Sequence, residues 1–70
     1  MKVEIYTRGP SPKMIWRGEL DQVPRVGDDI VILDYLVEEV VRVVFNFVEN
    51  VIRIEVMTFD LDNIYQDLDP

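Results

Sequence analysis

The stretch from residue 36 to residue 59 constrains the fold most. Six valines and two phenylalanines fall between residues 36 and 48; after Glu49-Asn50, Ile52, Ile54 and Val56 alternate with Arg53 and Glu55. β-Branched and aromatic side chains fit a pleated surface, and a period of two buries one strand face while wetting the other. The first part of this run can be drawn as a helix, but its valine content weighs toward a strand. The adjacent acids Glu38 and Glu39 interrupt the alternation, and a bulge there would restore it. Glu49-Asn50 reads as a hairpin tip, because asparagine tolerates positive φ.

Three further strands are expected. Residues 2–7 place Val3, Ile5 and Thr7 on one face and Lys2, Glu4 and Tyr6 on the other. Residues 13–20 place Met14, Trp16 and Leu20 inward, with Gly18 on the same face marking a bend or close packing. Residues 29–33 form a short strand. Arg8-Gly9-Pro10-Ser11-Pro12 is a loop, and Val23-Pro24-Arg25-Val26-Gly27-Asp28 is a turn feeding the third strand. Beyond residue 60 the period changes. Leu61, Ile64, Tyr65 and Leu68 are spaced as one helical face, with Asp60 and Asp62 at its start, so a helix is expected over 61–68. A helix that short needs a surface to lie on, either this domain or a second chain.

Five strands near 2–7, 13–20, 29–33, 36–48 and 51–59 require closure or a second layer to bury their apolar faces. The expected fold is all-β: a small five-stranded SH3-like barrel or a strongly curled antiparallel sheet, with a short C-terminal helix. An OB-like barrel is the neighbouring possibility. The Val-Pro-x-Val-Gly-Asp turn before a β-branched strand resembles turns of SH3-like barrels; the resemblance covers about ten residues and implies fold, not function.

Seventy residues make one domain, residues 1–70, burying roughly 60% of its unfolded surface. With no cysteine and no histidine, the chain lacks thiolate chemistry, the usual triads and the commonest transition-metal ligand. Asp28-Asp29 and Glu38-Glu39 are adjacent on strands, so the members of each pair point to opposite faces and do not converge on a substrate. Asp60-Leu61-Asp62-Asn63 opens like a calcium loop, but Ile64 and Tyr65 stand where a ligand and a glycine are needed. Gly9, Gly18 and Gly27 match no phosphate-binding motif. No catalytic residue, metal ligand or cofactor is therefore expected. No apolar run approaches the ~20 residues of a membrane span, and Glu4 falls where a signal peptide would be apolar, so the expected location is the cytoplasm.

The net charge of −7 is uneven: +2 over residues 1–27 and −9 over residues 28–70. The leading functional expectation is a small acidic, non-enzymatic protein–protein interaction module that binds itself or another protein. Its candidate surface is the outward face of the first hairpin, with Tyr6, Arg8, Lys13, Ile15 and Arg17, together with the helical stripe of Leu61, Ile64, Tyr65 and Leu68. Two alternatives follow from the same charges. One is an acidic inhibitor that imitates nucleic acid, using Asp34, Glu38, Glu49, Asp60 and Asp62. The other is an RNA-binding hairpin face, which the overall acidity disfavours.

Overall fold

The computed structural model describes residues 1–33 and 36–59. Five strands follow one another: β1 (Lys2–Arg8), β2 (Met14–Glu19), β3 (Asp29–Leu33), β4 (Leu36–Asn46) and β5 (Val51–Phe59). They form one sheet in the order β2-β1-β5-β4-β3, curled into a nearly closed barrel. β1–β2, β4–β5 and β3–β4 pair antiparallel, whereas β1 and β5 run parallel. The all-β, barrel-like reading of the sequence holds. The helix expected over 61–68 lies outside the described residues, as do Leu61, Ile64, Tyr65 and Leu68.

The core follows the period-two pattern. Val3 and Ile5 of β1 pack with Ile52, Ile54 and Val56 of β5, Val40 of β4 and Ile15 of β2. Trp16, Leu20, Val23, Ile30, Ile32 and Val43 close around them, each partly buried. β2 and β3 are the two edges, and where they approach each other Ile5, Trp16, Leu20, Pro24, Ile30 and Ile32 line a cleft of about 340 Å³.

Two phase readings need correction. Trp16 faces Ile5 and Met14 faces Tyr6, which leaves Ile15 as the extra residue of a bulge. The bulge turns both Ile15 and Trp16 toward the core, so Ile15 is buried and does not belong to the outward face. Met14, expected inside, is exposed. Gly18 makes the close approach expected of it: a Cβ there would stand 2.8 Å from the Trp16 ring. In β4 the extra residue is Val41, between Val40 and Arg42, not the Glu38-Glu39 pair. Glu38 keeps its alternation and is buried, because Thr58 Oγ1 donates a 2.6 Å hydrogen bond to its Oε1.

The turns behave as their residues dictate. Arg25 N–H donates to Asp28 Oδ2, Asp28 N–H donates to the Arg25 carbonyl, and Gly27 takes φ 96°. Asn50 adopts φ 58° in the β4–β5 turn. Asn46 Oδ1 accepts from the Val48 and Glu49 N–H groups, which ends β4 two residues before the expected boundary. Among the described residues no helix is long and apolar enough to cross a membrane.

Candidate interaction face

The outward face of β2, β1, β5 and β4 is assembled by register. Glu4 sits between Arg17 of β2 and Arg53 of β5, and Arg53 is followed by Val44 of β4. One row along, Tyr6 sits between Met14 and Glu55, and Glu55 faces Arg42. Lys2 opposite Glu19 and Arg8 opposite Phe59 bound the face at its two ends. Five of the chain's seven cations and three of its fourteen acids thus share one surface.

Tyr6 is the centre of this face. Its hydroxyl donates to Glu4 Oε1 at 2.9 Å, and the Arg53 guanidinium lies 5.5 Å from its ring centroid. Arg53 also approaches Glu4 at 3.6 Å and Glu49 at 3.6 Å, and Arg42 approaches Glu55 at 3.5 Å. Arg8 Nη1 donates to Met57 Sδ at 3.4 Å. Each ion pair has an exposed arginine and contributes roughly 0–1 kcal/mol. Together they order the arginines around the ring rather than stabilise the fold. Tyr6, Pro12, Arg42, Val44, Arg53 and Glu55 line a shallow recess of about 250 Å³.

Of the residues singled out in the sequence, Tyr6, Arg8 and Arg17 fall on this face. Lys13 does not share their register. It lies opposite Thr7 at the hairpin mouth, its N–H donating to Thr7 Oγ1 and its carbonyl accepting from Thr7 N–H, so Met14 takes the place beside Tyr6. Arg42 and Arg53 come from the second hairpin. The alternation of Arg53 and Glu55 with isoleucine and valine marked them as outward-facing, but nothing local announced that β5 would lie beside β1.

Desolvation of Tyr6, followed by its hydrogen bond to Glu4, holds the phenol above its ordinary pKa, with Arg53 pulling the other way. The neutral ring is the form the fold favours, so this contribution is complete below the ordinary phenol range and is lost as pH rises through the folded-state value. In a Tyr35→Phe/Tyr65→Phe background, absorbance titration is expected to place Tyr6 above a free tyrosine. Arg53→Gln should raise it further, and Glu4→Gln should lower it. A lower value in Arg53→Gln would contradict the arrangement.

Among the described residues, no three acidic side chains converge as metal ligands would. No family model, curated protein or solved structure matches the chain. Its function must therefore be argued from its surface.

Proposed function

We infer that the protein is a non-enzymatic protein–protein interaction module whose outward β2-β1-β5-β4 face binds an acidic or mixed-charge protein surface. The observation that carries this reading is that Arg8, Arg17, Arg42 and Arg53 share one sheet face with Tyr6, Arg53 over its ring, in a chain of net charge −7. Tyrosine and arginine are the residues that most often anchor interfaces, one through a rigid amphipathic ring and the other through a planar donor fork. Met14 and Met57 flank them with adaptable apolar surface, both substantially exposed. Glu4 and Glu55 stand inside the face, where they would repel a phosphate backbone, and this favours a protein over RNA. The nucleic-acid-mimic reading loses support because Glu38 is buried and Glu49 lies beyond the opposite end of β4. The cytoplasm is the compartment this reading assigns.

The test is photo-crosslinking in cells with a benzophenone amino acid in place of Tyr6. The expected product is an adduct to a discrete protein, lost when Arg17→Glu and Arg53→Glu are added. Nuclease-sensitive adducts, or the same adducts from a probe at Val31 outside this face, would overturn the reading.

A further inference from the structure

β4 has eleven residues and β5 nine, against seven in β1 and six in β2. The extra length lies away from the hairpin turn: Val3 pairs with both Ile52 and Gly18, so β1 and β2 reach the start of β5, and only the turn, residues 47–50, projects past this end of the barrel. The inward stripe of β4 runs toward this turn: Val43 faces Ile54 and Phe45 faces Ile52, both on the core side of β5. Phe47 extends the stripe, its ring stacked on Phe45 at a centroid distance of 6.4 Å. Burial fails as the stripe leaves the barrel, with Phe45 53% exposed, Phe47 89% and the neighbouring Val48 96%. Water thus meets Phe45, which the strand period directs toward the core, and the two apolar residues of the turn that follows. The tip is also pre-shaped, since Asn46 accepts from two backbone N–H groups of the turn and donates through Nδ2 to Glu49. Beside it lies a groove of about 350 Å³ bounded by Met1, Lys2, Phe45, Phe47, Glu49 and Val51.

We propose that a second copy of this chain covers the apolar hairpin turn, the Phe47-Val48 tip of each protomer entering the other's groove about a two-fold axis. Knob and groove are contiguous, so one two-fold operation fills both grooves and closes the assembly. The groove walls differ in charge. Glu49 is on the hairpin wall, and Lys2 is on the β1 wall, where the Met1 ammonium is 3.9 Å from Glu19. The two-fold can bring each Glu49 toward the other protomer's Lys2.

The area points to a weak dimer. At roughly 200 Å² per aromatic side chain, Phe45 and Phe47 expose about 280 Å². With Val48 and Met1, this gives on the order of 500 Å² per copy. A pair would bury about 1,000 Å², the lower bound of a specific interface.

The experiment is sedimentation equilibrium of the full chain over a wide concentration range, paired with single-cysteine crosslinking, which the cysteine-free sequence permits. Wild type should show a reversible monomer–dimer equilibrium that persists at high salt. Phe47→Asp, at an exposed site that leaves the fold intact by circular dichroism, should weaken it at least about thirtyfold. Arg42→Glu, on the separate Tyr6 face and outside the groove, should leave it unchanged. Val48→Cys should form a disulfide-linked dimer on mild oxidation, while Val31→Cys should not. A monomer at all concentrations, a dimer indifferent to Phe47→Asp, or one dissolved by Arg42→Glu would overturn the proposal. So would binding of Phe47 to neutral lipid vesicles by a chain that stays monomeric.

Discussion

Ile54→Ala is expected to remove about 3 kcal/mol from the unfolding free energy. Ile54 is 0% exposed at the centre of the sheet, in register with Ile5 on one side and Val43 on the other. Truncation removes the transfer free energy of the lost methyl and methylene groups and leaves a cavity that close-packed neighbours only partly refill, a combination that costs about 2–5 kcal/mol. A domain of this length has on the order of 4–10 kcal/mol in total, so the substitution takes a large fraction of it. The urea midpoint should fall with little change in slope. The same truncation at Val26, an exposed turn residue, should cost less than about 0.5 kcal/mol. A loss below about 1 kcal/mol at Ile54 would mean that the inner faces of β1, β4 and β5 are not the core.

That core was legible because its strands obey one local rule. In β1 and β5 inward residues alternate with outward ones, and the buried sets Val3-Ile5-Thr7 and Ile52-Ile54-Val56 follow, with buried Val51 at the start of β5 the exception. β2 was misread for a local reason of a different kind. A single bulge at Ile15 reverses the phase of every residue before it, turning Met14 out and Ile15 in, and nothing in Met-Ile-Trp-Arg marks where the extra residue falls. Glu38 was misread because its place depends on Thr58, twenty residues later. The parallel pairing of β1 with β5 is non-local, and it decides the candidate face, carrying Arg53 over Tyr6 and placing Glu55 beside it. Tyr6, Arg8 and Arg17 were visible as one hairpin's polar side, but their partners on β4 and β5 were not. The exposed hairpin turn was hidden for a related reason. Phe45 has the spacing of a core residue, but it stands at the barrel's end, opposite Ile52 and in the row of Val3 and Gly18, and Phe47 lies beyond β4 in the turn.

The carboxyl group of Glu38 gives the second large effect. It is 2% exposed, on the stripe of β4 that continues with Val40 into the apolar core. A polar group in that position is tolerated only while its acceptors are met, and the 2.6 Å bond from Thr58 Oγ1 meets one of them. Thr58→Val preserves the shape and branching of the side chain but deletes the donor, so the loss isolates the hydrogen bond from any change in packing volume. The expected cost is about 2 kcal/mol, the penalty for leaving a buried acceptor unmet. Thr58→Ser, which keeps the hydroxyl and loses a methyl, should cost only about 1 kcal/mol. Replacing Glu38 in the Thr58→Val background should then cost less than replacing it in the wild type, because the bond is already gone. Urea unfolding of the four chains of this cycle measures the coupling directly. If Thr58→Val proves as stable as wild type, the bond does not hold Glu38 inside the barrel, and the inward course of β4 before Val40 has another cause.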